Sequence, residues 1–507
     1  MNKVQKLLIE RGYQNPLEKI SPLNVPEILN QHLDDATKIN IIGDYDCDGF
    51  ASIYCAMTIL QEFGYDVKYY IPHRIDEGYG LSKPVVGRMR ECDMIITVDN
   101  GTVATEALEI CHKMDIVTVV TDHHAADKSI AHICINPNCK SVEDPNYSNL
   151  CGAQVIFSVL QGLVREDETA YDYTFHNCLA WVMVATIADM VKIDNRNYKF
   201  CDYVLNHLRG ESTNTSFNAL LDVLKLDHKY LTVDDVGYSI GPTINAVGRM
   251  DDMTLAVEAA LDEDYESAKK KWEGIVKFNK QRKAVTAEGE DLSKKDESII
   301  LDENVIVVKA DIHAGVIGIV ASRLKEEYGK PAVVFNKDGK ASCRSVTGFH
   351  IRDALIECSK HLIKYGGHAM AAGLSIRKNK EAAFAKQLNA LANSIPLQKE
   401  RRVIKIKPSK IKDLADSYVY SVWGSGNEKP LLRSRFLIWD IRIIKDTHSA
   451  LILDSKGITF DAMYFNGLVL ESRVQQHCTI TYELTLNSFN KNRSHTLVIR
   501  SIEYEDD

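Results

Sequence analysis

The sequence predicts an α/β protein of several lobes: a parallel-sheet lobe, a helical connector, a smaller α/β lobe and a C-terminal β-barrel. Three observations carry this expectation. Between Ile39 and Asn136, short runs of Val, Ile and Thr alternate with longer amphipathic stretches, the rhythm of a doubly wound parallel sheet. From 206 to 297 the chain is helix-forming and becomes strongly charged. From Lys399 onward the pattern changes to short β-like runs, five or so in roughly 100 residues, which suits a small barrel such as an OB-fold.

The first lobe takes its strands from INIIG, VKYYIP, MIITVD and IVTVVT, continuous apolar runs of the kind buried on both faces. Phe50–Phe63, Ser82–Arg90 and Val103–Met114 carry helical spacing between them, and helices Gly152–Val164 and Phe175–Met190 follow. The stretch ESAKKKWEGIVKFNKQRKAVTAEGEDLSKKDES is expected to be a long solvated connector, with lysines 269–271 on its surface. A second α/β unit starts at NVIVVKA and continues through helical Ile317–Tyr328, the strand PAVVF and the glycine-rich KYGGHAMAAGLSI. The barrel strands are RRVIKIK, RFLIWDIRII, ALILD, ITFDAMYF, CTITYELTL and HTLVIRSIE. Domain boundaries are expected at 1–205, 206–297, 298–396 and 397–507.

Composition narrows the class. With 45% hydrophobic and 26% charged residues the chain is neither collagen-like nor disordered. The net charge of −9 argues against a blanket electrostatic grip on nucleic acid, but carboxylates that hold cations contribute to the same sum. The twelve cysteines form no C-x-x-C pair; Cys134 and Cys139 flank an Asn-Pro turn without zinc-spaced partners, and reduced core thiols are expected. The opening MNKVQKLLIERGY is too polar for a signal peptide, and no apolar run reaches membrane-spanning length. A soluble, cytoplasmic protein without membrane contact is expected.

Asp44, Asp46 and Asp48 alternate in GDYDCDG directly after INIIG, at a strand's carboxyl end, where open α/β sheets bind ligands. Like charges so close repel unless cations hold them. A surface turn would also fit, and D-x-D-x-D-G opens an EF-hand loop, but the twelfth position here is Cys55 and a strand precedes the loop. The next strands add to the same rim: MIITVDNG ends on Asp99, and IVTVVTDHH on Asp122, His123 and His124. Asp189 lies in the apolar helix LAWVMVATIADMVKI, where an acid is costly unless paired or bound to metal. Carboxylates with an imidazole and no thiolate suit Mn²⁺ or Mg²⁺ rather than zinc.

GDYDCDG, VDNG, DHH and TIAD, in that order, resemble the four motifs of the DHH phosphoesterase superfamily. GPTINAVGR (241–249), ASCRSVTGF (341–349) and YGGHAMAAG (365–373) are similar to the RecJ family and its DHH-associated domain, and VWGSGNEKP and FDAMYF to its OB-fold. The resemblance covers nearly the whole chain. It implies a single-strand-specific exonuclease with two divalent metal ions, Mn²⁺ or Mg²⁺, one held by Asp46 and Asp99 with Asp44 directly or through water. The other would be held by Asp48, Asp99, His123 and Asp189, so that Asp99 bridges the pair. Asp122, His124 and His368 are the implied catalytic residues, His124 orienting the cluster or assisting proton transfer and His368 facing the scissile phosphate. Arg74, Arg249, Ser342 and Arg344 are implied around the terminal phosphate, and Gly366 and Gly367 allow close backbone approach. Many relatives carry His where this chain has Ile42, and Gly where it has Ala341.

The basic run KERRVIKIKPSKIK (399–412) reads either as a strand with one solvated face or as a track for a nucleic-acid backbone, with Trp423 or Phe465 stacking bases. The expected partner is single-stranded nucleic acid, DNA favoured and approached from the 5′ end by resemblance, with a helicase or single-strand-binding protein as possible co-worker and a monomer as default. Rival readings are a small-substrate phosphoesterase of the same superfamily, a non-catalytic replication scaffold and a manganous pyrophosphatase. The C-terminal barrel weighs against the first, the complete set of acids against the second and the GGH pattern against the third.

Overall fold

The structure, a computed structural model, describes residues 29, 31–33, 36–73, 77–141, 148–163, 172–210, 214–367, 369–393, 401–487 and 494–505. The β-branched runs of the first lobe form β1 (Lys38–Ile42), β2 (Asp66–Tyr70), β3 (Met94–Val98), β4 (Val117–Thr121) and β5 (Ile133–Ile135). All pair in parallel, in the order β2–β1–β3–β4–β5. The direction of sheet growth reverses between β1 and β3, so a crevice opens at the carboxyl ends of those two strands.

Helices cover both faces. The intervening segments form α1 (Cys47–Glu62), α2 (Lys83–Met89), α3 (Thr105–Lys113), α4 (Gly152–Leu163) and α5 (Asp172–Ala188). One apolar layer joins α1, α4 and α5 to the sheet, and a second joins α2 and α3 to the opposite face. The uniformly apolar sequence of α5 follows from its central place: Trp181 meets the rings of Phe50, Tyr54, Phe217 and Trp272 and is fully buried. This helix ends at Ala188, so Asp189 stands just beyond its last turn rather than inside it.

Helix α6 (Asn195–Gly210) packs in the first lobe's core, and the expected connector holds α7 (Thr215–Leu224), α8 (Gly241–Met250), α9 (Thr254–Ala260) and α10 (Tyr265–Ser293). The expected solvated segment is this last helix, and it is solvated on one face only: Ala268, Trp272 and Ile275 are buried in the first lobe's core. The second lobe has a six-stranded mixed sheet in the order β10 (Leu362–Gly367), β11 (Ala371–Ile376), β9 (Lys340–Arg344), β8 (Ala332–Phe335), β7 (Ile306–Lys309), β6 (Ile299–Asp302). Helices α11 (Ile317–Tyr328), α12 (Ile351–Glu357) and α13 (Glu381–Leu391) pack on it.

In the C-terminal part, β13 (Leu431–Ile444), β14 (His448–Ser455), β15 (Ile458–Tyr464), β17 (Ser494–Tyr504) and β16 (His477–Asn487) pair in that order, and β16 returns to β13. The result is a closed five-stranded, OB-like barrel with β12 (Val403–Lys405) added to β13. Among the described residues the basic run is therefore a strand only at 403–405; Pro408 opens a turn and Ile411 begins α14 (Ile411–Val419). Trp423 is a core residue, 5% exposed with its indole N–H on the Tyr418 carbonyl at 2.6 Å, and offers no face to a base. Phe465 is exposed. The barrel is fastened to the rest of the chain by a 2.7 Å hydrogen bond from Ile193 N–H to Ser425 O and a 2.6 Å ion pair between Lys429 and Asp234.

All twelve cysteines are free, ten of them buried. Among the described residues no helix is long and apolar enough to cross a membrane.

Candidate metal centre

The acids reach one rim because consecutive parallel strands end there. Asp44, Asp46 and Asp48 leave β1, Asp99 leaves β3, and Asp122, His123 and His124 leave β4. Asp46 caps α1, its Oδ1 accepting from the N–H of Asp48 at 2.9 Å and of Gly49 at 3.2 Å. Asp48, one residue into α1, is itself aimed by the start of α4: its carboxylate accepts from the N–H of Gly152 at 2.6 Å and of Ala153 at 2.8 Å. Asp99 adopts a left-handed backbone with φ of 60°, the conformation that turns the chain back at the end of β3.

Two close approaches complete the frame. A Cβ on Gly152 would lie 2.5 Å from Cβ of Asp99, and one on Gly248 would lie 1.9 Å from the Tyr45 carbonyl oxygen. Helix α8 is thus pressed against the acidic loop, where Asn245 Oδ1 also accepts from the Cys47 N–H at 3.0 Å.

Among the described residues three groups of ligand atoms result, each within 4.8 Å: Asp44, Asp46 and Asp99; Asp48, His123 and Asp189; and Asp99, His123 and His124. Nε2 of His123 lies 3.1 Å from Asp99 Oδ1, 3.6 Å from Asp48 Oδ2 and 3.7 Å from Asp189 Oδ2. Burial pushes the Asp99 carboxyl well above the ordinary carboxylate range, and the charges of Asp48, Asp46, Asp44 and Asp189 push the same way. Burial likewise raises Asp189, aided by Asp48 and Asp46, and raises Asp48 against the pull of His123. It lowers His123, favouring the neutral ring that can ligate. Asp99 Oδ1 is buried and accepts no hydrogen bond. Buried acids packed around an Asp99 oxygen that accepts no hydrogen bond are what a cation would satisfy, and the oxygen and imidazole ligand atoms, with no cysteine among them, fit Mn²⁺ or Mg²⁺.

Asp122 organises the DHH turn. Its Oδ2 accepts from Thr102 N–H (3.1 Å) and Oγ1 (2.7 Å). Its Oδ1 accepts from the N–H of His123 (2.7 Å), the N–H of His124 (3.1 Å) and Nδ1 of His124 (2.7 Å). Burial opposes its ionisation, yet the His124 contact wins and holds Asp122 far below the usual range. Burial lowers His124 too, and the Asp122 hydrogen bond and charge outweigh it, pushing His124 up to about 9.

The residues that frame this turn went unnoticed in the sequence. Asn136 donates to the His124 carbonyl at 2.9 Å and to Thr102 Oγ1 at 2.8 Å, and Asn138 donates to the His123 carbonyl at 2.6 Å. Tyr79 donates to the Asp99 carbonyl at 2.8 Å and sets its ring edge-on to His124. The Asn-Pro turn of INPNC was the available signal for the first pair. Tyr79, in EGYG, had none beyond its motif.

Of the expected phosphate residues, Arg249, Ser342 and Arg344 border the segment between Gly315 and Gly318. Arg249 follows Gly248 and donates through Nη1 to the Gly315 carbonyl of the second lobe at 3.1 Å. Ser342 and Arg344 stand on β9, 2.9 Å apart between Oγ and Nη1, and border Gly318 at the start of α11. Gly366, Gly373 and Ser342 share one row across β10, β11 and β9, and Gly367 (φ 142°) begins the next. Arg74 and His368 lie outside the described residues. Ile42 is fully buried with Leu81, Val85 and Ile95 in the layer under α2 and α3 and supplies no ligand. Ala341 is buried on β9 in the second lobe's core.

Residues 38–187 match the DHH family, N-terminal domain, residues 302–394 the DHHA1 domain, and residues 404–501 the RecJ OB domain. The chain is 31% identical over 514 residues to the single-stranded-DNA-specific exonuclease RecJ of Haemophilus influenzae, covering 93% of this chain and 88% of that one. To the corresponding protein of Salmonella typhimurium it is 30% identical over 526 residues, covering 96% and 91%. Its fold superposes on RecJ of Thermus thermophilus in complex with Mn²⁺ with a TM-score of 0.80, at 21% identity over 99% of this chain and 75% of that one. Three matched domains in order, two relatives at this identity and the shared fold establish that the chain belongs to the RecJ family of DHH proteins.

Proposed function

We propose that this chain is a divalent-metal-dependent exonuclease that hydrolyses phosphodiester bonds of single-stranded DNA from the 5′ end, releases 5′-mononucleotides and serves DNA repair and recombination. The observation that carries the reading is that Asp99 stands in one ligand group with Asp44 and Asp46 and in another with His123, whose Nε2 also lies 3.6 Å from Asp48 and 3.7 Å from Asp189, an arrangement in which one carboxylate would serve two neighbouring cations. The names of the relatives, single-stranded-DNA-specific exonucleases, support the substrate, and the closed barrel fastened to the first lobe supports a polymer over a small molecule.

In this reading two ions, Mn²⁺ or Mg²⁺, would be held, one by Asp46 and Asp99 with Asp44 directly or through water, the other by Asp48, Asp99, His123 and Asp189. Bound there, such a pair activates water and stabilises the leaving oxygen of a phosphodiester. The chain's own residues do the rest. Gly152 and Ala153 aim Asp48, and Asp122 holds His124 through Nδ1, so that proton movement falls to Nε2, 3.4 Å from the Tyr79 hydroxyl. Arg249, Ser342 and Arg344, joined by Arg74, grip the terminal phosphate, and His368 serves the scissile one, with Gly366 and Gly367 preceding it in sequence and open space around the Gly366 backbone. The working form is a cytoplasmic monomer, fed with open strand by a helicase or single-strand-binding protein.

The test is a single strand labelled at either end, incubated with Mn²⁺ or EDTA and with wild type or Asp99→Ala. Mn²⁺-dependent release of mononucleotides from the 5′ end, absent in the variant, is expected. Intact strands alongside hydrolysis of a dinucleotide or nucleotide bisphosphate would replace this reading with a small-substrate phosphoesterase.

A further inference from the structure

We infer that His313 is a positioning residue that fixes the grip on the strand's terminal phosphate by locking the turn on which Arg249 rests. The inference builds on the reading above that Arg249 holds that phosphate. His313 lies between β7 and α11, where the second lobe meets the end of α8. Its Nδ1 accepts the N–H of Gly315 at 3.1 Å, closing a short side-chain turn. The Gly315 carbonyl in turn accepts from Nη1 of Arg249 at 3.1 Å.

The two backbones touch at this point: a Cβ on Gly315 would lie 2.2 Å from the Arg249 carbonyl oxygen. Three residues on, a Cβ on Gly318 would lie 2.9 Å from Nη2 of Arg344 and 3.1 Å from Oγ of Ser342. One short segment therefore spaces Arg249 on one side from Arg344 and Ser342 on the other. Ile312 and Val316 anchor it in the core, whereas His313 itself is exposed. Apolar packing does not account for the histidine; the hydrogen bond to Gly315 does. An Nδ1 that accepts puts the proton of the neutral ring on Nε2. Without the lock, the turn keeps its backbone bond from Val316 N–H to the His313 carbonyl at 3.0 Å, but the Gly315 peptide loses its side-chain acceptor and the carbonyl that orients Arg249 is held less firmly.

The test compares kcat/KM for 5′-phosphorylated and 5′-hydroxyl single strands in wild type, His313→Ala, His313→Asn and Arg249→Ala. Wild type should prefer the phosphorylated strand, and Arg249→Ala should abolish the preference. His313→Ala should cut it up to about tenfold, the upper end of what one neutral hydrogen bond contributes, through KM with little change in kcat. His313→Asn should restore it, because Oδ1 of asparagine accepts the same N–H. Full preference in His313→Ala beside its loss in Arg249→Ala would overturn the role of His313 alone. Equal impairment of the Ala and Asn variants would overturn the lock as its cause. A wild type without preference, or one unmoved by Arg249→Ala, would overturn the phosphate reading and this inference with it.

Discussion

The N–H of Gly152 donates to Oδ2 of Asp48 at 2.6 Å, across 104 residues of sequence. The start of α4 thereby aims a carboxylate of α1, and the same glycine lets Asp99 pass beside it. Gly152→Ala would place a Cβ 2.5 Å from Cβ of Asp99 and force one of the two acids out of line. We expect Mn²⁺ affinity and nuclease activity to fall at least about tenfold, and stability by about 1–3 kcal/mol, the usual cost of overpacking. Calorimetric Mn²⁺ titration and thermal melts check both.

Asp99→Asn should separate stability from function. Burial and four neighbouring carboxylates raise the folded pKa of Asp99 above its unfolded value, so the stability tied to its protonated form is present below about pH 4 and lost as pH rises through the raised value. In EDTA at neutral pH the variant should melt at a higher temperature than wild type. Mn²⁺ should raise the melting temperature of wild type and leave the variant's unmoved, and the variant should be inactive.

Asp122→Asn should release His124. The His124 pKa, now about 9, should fall toward the ordinary value of about 6.5, which NMR titration of metal-free protein would read directly. The raised His124 contributes stability below about pH 6.5 that is lost as pH rises through about 9. The depressed Asp122 contributes stability above about pH 3.9 that is lost as pH falls. The wild-type advantage over the variant should therefore be confined to the window between acid and about pH 9, and kcat should drop by roughly one hundredfold.

Lys429→Ala removes the nearly buried cation that ties the barrel to Asp234. The barrel should then dock more loosely, leaving Asp234 without this ion-pair partner. Affinity for long strands should fall several-fold while dinucleotide cleavage stays near wild type. Loss of both activities in equal measure would mean that the pair supports the whole fold rather than the barrel's position.

Much of the architecture was legible because it depends on local pattern. The runs INIIG, MIITVD and IVTVVT are too apolar and β-branched for anything but buried strands, and the acids that follow them had to emerge at one rim. The barrel strands were legible by the same logic, whereas α14 was hidden behind a basic run that alternates like a strand until Pro408 interrupts it. Trp423 looked available to stack a base because an aromatic's burial depends on what lies across the core, here Tyr418.

The sequence by itself determined the lobes, the order of the acidic and histidine motifs and the chemical type of their side chains, since residue type and spacing along one chain decide these. Only the tertiary structure decided how the donors are aimed. The amides of α4 on Asp48, the asparagines of β5's exit under the histidine carbonyls, and Gly248 against Tyr45 join positions far apart in sequence. Such contacts depend on short-range hydrogen bonds and repulsion between packed atoms, and those forces are set by distances that exist only once the chain is folded.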